Sequence, residues 1–176
     1  MSTDTLSADA AEPDGLPEDR RRWAATAIFT TLALAALDTA IANIALPAIA
    51  ADLHASAADV IWVVNIYQIA MVATLLPLAA LGEIVGHERL YIGGLILFTV
   101  ASLACACADS LSALVVARGL QGLGASGMMS VNTALVRFIY PERQLGRGFG
   151  NNALVVAVAL SLGPTIASGI LSVASW

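Results

Sequence analysis

Residues 24–51 read AATAIFTTLALAALDTAIANIALPAIAA, a run of 28 residues with a single charge, Asp38. An apolar run of that length crosses a bilayer with some tilt. A carboxylate near the middle of such a span costs about 3 kcal/mol or more, so it is rarely kept without a partner or a task. The task that best suits a lone buried acid is taking up and releasing a proton. The stretch therefore points first to movement of solutes through a membrane.

Composition agrees. Hydrophobic residues make up 59% of the 176 and charged residues 12%, with a mean hydropathy of +0.82. An ordinary soluble domain carries about 25% charged residues. All eight cations are Arg, and the net charge of −5 owes much to six acids before Arg20. A basic nucleic-acid-binding surface has no support. Cys105 and Cys107 lie two apart in an apolar run, on different sides of a helix, and read as small hydrophobes rather than disulfide or metal ligands.

Five apolar spans are predicted, at about 23–51, 60–82, 90–108, 110–136 and 151–175. Each meets or nearly meets the roughly 20 residues a crossing helix needs. A soluble bundle of buried helices is the rival, and it fails because no polar face recurs at helical spacing in the second, third or fifth span. The expected fold is an all-α polytopic transmembrane bundle. No cofactor or metal is implied, and no enzyme: the paired intramembrane aspartates, Ser-His pair and H-E-x-x-H site of membrane enzymes are missing.

The arginines set the expected orientation. Arg20, Arg21 and Arg22 precede the first span, Arg89 follows the second, and Arg137, Arg143 and Arg147 follow the fourth. The alternate connections, 52–59 and Asp109, hold no Lys or Arg. Such a bias places the N-terminus and the arginine-bearing connections in the cytoplasm, the chain in the cytoplasmic membrane, and Trp176 outside. Residues 1–22 are acidic and carry Pro13, Gly15 and Pro17, and are predicted to form a disordered cytoplasmic tail. The chain stops at Trp176 directly after an apolar run, as expected of a truncated reading frame or product.

Depth along the spans pairs two charges. Asp38 lies fourteen residues before Asp52, roughly 21 Å along a helix, and Arg118 nine residues after Asp109, roughly 14 Å. Both depths are measured from the same side, so they differ by about one Arg side chain. A contact, direct or through water and Gln121, is expected. A neighbouring guanidinium favours an ionised carboxyl and desolvation disfavours it, so a change in their separation switches proton affinity. The plainer alternative is a fixed ion pair that orients two helices.

Three motifs carry a family resemblance. Leu37-Asp38-Thr39-Ala40-Ile41-Ala42-Asn43-Ile44-Ala45-Leu46-Pro47 resembles the L-D-x-T-x-x-N-x-A-L-P signature of the fourteen-helix drug–proton antiporter branch of the major facilitator superfamily. Arg118-Gly119-Leu120-Gln121-Gly122-Leu123-Gly124-Ala125 resembles that superfamily's R-x-x-Q-G-x-G-A. Gly150, Ala159 and Gly163-Pro164-Thr165-Ile166-Ala167-Ser168 are similar to G-x8-G-x3-G-P-x2-G-G, with small residues in place of three glycines. A fourth motif, G-x-L-x-D-R-x-G-R-K between the second and third spans, is degraded. Glu83, Gly86 and Arg89 are kept, whereas Ile84, His87 and Glu88 replace cations. In the family that loop braces the outward-facing state by charge contacts, and the substitutions here remove cations from that brace.

The resemblance implies five helices of the first six-helix half of a major facilitator fold. It implies proton-coupled efflux of small amphipathic or cationic compounds by a longer transporter, with the proton as coupling ion and membrane lipid and the missing remainder as partners. Asp38 would carry the proton, Arg118 would tune it, Gln121 would hold the Arg, and Asn43 and Gly122 would support the cavity. Glu83, Gly86, Arg89, Gly150, Gly163 and Pro164 would serve the conformational switch. A transport-inactive membrane remnant that only associates with other helices is the alternative. Among other polar groups at membrane depth, Asn65, Tyr67, Gln68 and Asn132 are left to cavity lining or helix adhesion, Trp62 and Tyr91 read as interfacial anchors, and His54 as a solvated loop residue.

Overall fold

The computed structural model describes residues 14–173. Six helices follow one another: α1 (Glu18–Asp52), α2 (Ala57–Val60), α3 (Trp62–Val85), α4 (His87–Ala106), α5 (Leu111–Ile139) and α6 (Leu145–Val173), with a 3₁₀ turn at Glu142–Gln144 before the last. The five sequence spans correspond to α1, α3, α4, α5 and α6, and α2 is a single turn leading into α3.

Their ends depart from the sequence boundaries for local reasons. Helix α1 begins at Glu18, so residues 18–22, expected in the tail, are helical; Glu18 and Asp19 in its first turn complement the helix dipole. Asp14–Pro17 are also fixed: Leu16 donates its N–H to the Ile139 carbonyl at 3.1 Å, and the Asp14 carboxylate accepts from the Glu142 N–H. The rest of the expected tail, 1–13, and the end at Trp176 lie outside the described residues. Helix α1 closes with His54 in the left-handed region (φ 50°), where Ala55 N–H reaches the Ala50 carbonyl and His54 N–H the Ala51 carbonyl. That is the Schellman closure usually given to Gly. The side-chain oxygen of Ser56 caps α2 by accepting from Asp59 N–H, and that of Ser110 caps α5 by accepting from Ala113 N–H. Gly86 alone (φ 98°) separates α3 from α4.

The helices alternate in direction, which gathers Arg20, Arg21, Arg22, Arg89, Arg137, Arg143 and Arg147 at one end of the bundle. Helix α5 is packed between α3 and α4, and α1 pairs mainly with α6. Three buried clusters stack along the axis. Ala25, Ile28, Val136 and Ile139 lie at the arginine-rich end, Tyr67, Phe98 and Met128 in the middle, and Ile49, Val63 and Leu114 at the far end.

Among the described residues, four helical segments are long and apolar enough to cross a membrane: α1, α2–α3, α4 and α6 with its preceding turn. The fourth sequence span, α5, does not reach that apolarity despite its 29 residues. It is the most enclosed helix, and close approach there is served by small residues rather than apolar bulk. A Cβ on Gly122 would collide with the Tyr67 carbonyl oxygen, and one on Gly124 would come within 2.5 Å of the Phe98 nitrogen. Large apolar side chains such as Leu76, Ile84, Val100, Leu103 and Leu154 point outward instead. An exterior of that kind suits hydrocarbon and not water.

Candidate functional site: a buried carboxylate–guanidinium–carboxamide network

Asp38 on α1 and Arg118 on α5 meet where the middle and far clusters adjoin. Arg118 Nη1 donates to Asp38 Oδ2 at 2.7 Å. The same nitrogen donates to Gln121 Oε1 at 2.7 Å, and Gln121 Nε2 donates to Asp38 Oδ1 at 2.9 Å. The three side chains thus close a ring in which each touches the other two. Arg118 and Gln121 lie three residues apart, so one helical face presents both toward α1. Arg118 is 4% exposed and Gln121 0%, whereas the Asp38 side chain retains 20%.

Further groups hold the ring. Arg118 Nε donates to the Val63 carbonyl at 3.3 Å, and its guanidinium lies 4.8 Å from the centroid of the Tyr67 ring. That is within cation–π range. Gln121 Nε2 also donates to Ser102 Oγ at 3.0 Å, and the Cys105 thiol sits 3.7 Å from Gln121 Oε1. Thus α1, α3, α4 and α5 all contribute. Sequence reading left Tyr67 between two uses and missed Ser102, Cys105 and the Val63 carbonyl. Ser102 and Cys105 are three apart and share a helical face, but Thr99 and Cys107 of the same span are as small and polar, so spacing alone did not single them out. A backbone carbonyl leaves no trace of its own.

The exposed edge of Asp38 opens on a cleft of about 270 Å³, lined otherwise by apolar side chains such as Ile41, Ala45, Ile49 and Leu114, with Ser102, Cys105 and Arg118 at its polar wall. The arrangement offers one carboxylate to a small aqueous or ligand-filled space while its countercharge stays enclosed.

The remaining candidates fall elsewhere. Asn43 is one turn and a half beyond Asp38 and donates to the Thr39 carbonyl at 2.8 Å; it makes no hydrogen bond with the ring. Its own carbonyl is the one that Pro47, lacking an N–H, cannot serve. Gly122 fits α5 against α3 beside Tyr67. Glu83 and His87 approach each other at 3.2 Å within their own connection, and Arg89 is exposed. Gly163 abuts Ala40 on α1, and the buried Ala159 and Ala167, four residues to either side, continue that stripe. Pro164 lies inside α6. Nothing lies within 4 Å of a Cβ placed on Gly150. Tyr91, expected as an anchor, packs partly buried against two core clusters, while Trp62 and His54 are exposed.

Comparison with known proteins places this geometry. The family described as Major Facilitator Superfamily matches residues 28–176. An uncharacterized transporter of Escherichia coli K12, YebQ, is 54% identical over 165 residues, covering 94% of this chain and 36% of that protein. The riboflavin transporter RibZ of Clostridioides difficile is 36% identical, covering 81% of this chain and 31% of its own length. The tetracenomycin C resistance and export protein of Streptomyces glaucescens is 34% identical, covering 100% and 33%. The chain spans about a third of the length of these relatives. With its outward-facing apolar helices and this match, the chain is a multi-pass membrane protein and belongs to the Major Facilitator Superfamily.

Proposed function

We propose that the chain forms part of a proton-coupled exporter of small drug-like compounds, of the fourteen-helix antiporter branch, in the cytoplasmic membrane with its arginine-rich end in the cytoplasm. The single observation that supports this best is the Asp38–Arg118–Gln121 ring at membrane depth beside an open cleft. A resistance and export protein among the relatives supports the export direction.

In this reading Asp38 exchanges the proton. Both of its partners present N–H donors, from Arg118 and from Gln121 Nε2, so the ring as built suits the ionised acid. A proton on Asp38 cancels its charge and occupies one lone pair, which weakens the charge-assisted bond from Arg118 and favours release of the guanidinium. Proton uptake thereby loosens α1 from α5, and ring closure expels the proton. Alternating access needs a coupling of this kind between charge state and helix position. The substrate is a small, apolar or amphipathic compound in the cavity completed by the remainder of the transporter, and no cofactor takes part.

The test is export from everted vesicles of the complete transporter under an imposed pH gradient. Asp38→Asn is expected to abolish gradient-driven export while leaving substrate binding measurable. Undiminished export by that variant would refute the reading.

A further inference from the structure

We propose that Ser102 of α4 is a positioning residue for proton exchange: its hydroxyl takes the second N–H of the Gln121 carboxamide and holds that side chain in the orientation the ionised Asp38 needs. This rests on Asp38 exchanging a proton, the reading proposed for the ring, and makes α4 the element that sets how readily it does so.

A carboxamide offers two N–H donors and an oxygen with two lone pairs. In Gln121 all four are taken. Nε2 donates to Asp38 Oδ1 at 2.9 Å and to Ser102 Oγ at 3.0 Å, while Oε1 accepts from Arg118 Nη1 at 2.7 Å and from the Cys105 thiol at 3.7 Å. Half of the side chain's bonding thus goes to the charged pair and half to two residues of α4 about one turn apart. Turned over, the carboxamide would set N–H groups against the guanidinium and its oxygen against the carboxylate. Gln121 is fully buried, so water cannot replace a partner that is lost. Nor can the hydroxyl drift. Phe98 lies one turn before Ser102 and Gly124 three residues after Gln121, and there the backbones of α4 and α5 meet too closely to admit a Cβ.

Without the Ser102 hydroxyl, one Gln121 N–H is stranded inside the closed ring. The carboxamide can recover a partner only by turning away from Asp38 or Arg118. Once Asp38 is protonated and the guanidinium released, the carboxamide is free to turn toward the cleft that Asp38, Ser102 and Cys105 line. The cost of losing the hydroxyl therefore falls on the ionised state, and protonation sets in at a higher pH. The titratable groups facing the ring are Arg118 from α5, Tyr67 from α3 and Cys105 from α4, while α6 brings only Ala167 and Ile170 to the cleft. Arginine keeps its charge, and phenols and thiols titrate on the alkaline side, so a change in the acid range belongs to Asp38.

The test is an infrared titration of the complete transporter that follows the protonated-carboxyl C=O band removed by Asp38→Asn. Ser102→Ala is expected to move the midpoint of that band's appearance to higher pH by roughly 0.7 of a unit, the equivalent of one neutral hydrogen bond. Ser102→Cys keeps the shape and supplies a weakly accepting sulfur, so it should move the midpoint the same way by less, and it carries the test should the alanine variant not fold. Thr99→Ala removes an α4 hydroxyl that donates to the Leu95 carbonyl of its own helix, and should leave the midpoint in place. A midpoint unmoved or lowered in the Ser102 variants, or moved equally by Thr99→Ala, would overturn the role of Ser102 and leave proton exchange at Asp38 standing. Absence of the band from the unmodified protein would refute both.

Discussion

Each member of the Asp38–Arg118–Gln121 ring satisfies two others, so the energetic consequences of removing one are unequal. Arg118→Leu leaves Asp38 with only the Gln121 amide, and Asp38→Leu leaves the more deeply enclosed guanidinium without its counterion. Each single change is expected to lower stability by roughly 3 kcal/mol, while the double change costs clearly less than the sum, because neither charge is then stranded. Thermal unfolding of the four proteins in detergent gives the coupling; strict additivity would show that the pair is not a unit. The charged pair was legible from depth alone, since two ionisable residues counted from the same membrane face came out within a side chain of each other. Gln121 was legible through its three-residue spacing from Arg118. The α4 contribution from Ser102 and Cys105 was not, because which face of an evenly apolar helix turns inward is decided by packing and not by its own sequence.

At the scale of elements, close helix approach rests on particular glycines. Gly122→Val on α5 would press a side chain onto the Tyr67 carbonyl of α3 and is expected to cost about 1–3 kcal/mol. Gly93→Ala on α4, where nothing lies within 4 Å, should be neutral or slightly stabilising. Equal melting temperatures for the two variants would contradict the packing described. At the end of α1, His54→Gly should gain about 0.5–1 kcal/mol by relieving a left-handed side-chain residue, read from the same melts. The number and order of long helices could be read from apolar run length. Their ends could not: α1 starts at Glu18 because acids suit a helix N-terminus, and α5 extends to Ile139 because its last turn is held in the cluster around Ala25 and Ile28. Nor did uniform apolarity hold, since α5 exchanges bulk for glycine, serine and the polar ring at the centre of the bundle.

For the whole molecule, alternation of five long helices puts seven arginines at one end, and the proposed orientation turns that end to the cytoplasm. With Cys105 and Cys107 replaced by Ser, a cysteine at Ser56 should react with an impermeant maleimide added to intact cells, and one at Gln144 only after permeabilisation. The reverse pattern would invert the topology. The same alternation aligns α1 and α5 so that Asp38 and Arg118 share a level, and the account depends on that acid changing its protonation there. Infrared difference spectroscopy of the complete transporter, moved between acidic and alkaline buffer, measures this directly. A protonated-carboxyl C=O band that appears on acidification, disappears on return and is missing from Asp38→Asn is the expected result. An unaltered band in that variant, or no such band in the unmodified protein, would leave Asp38 permanently ionised and the ring a static brace.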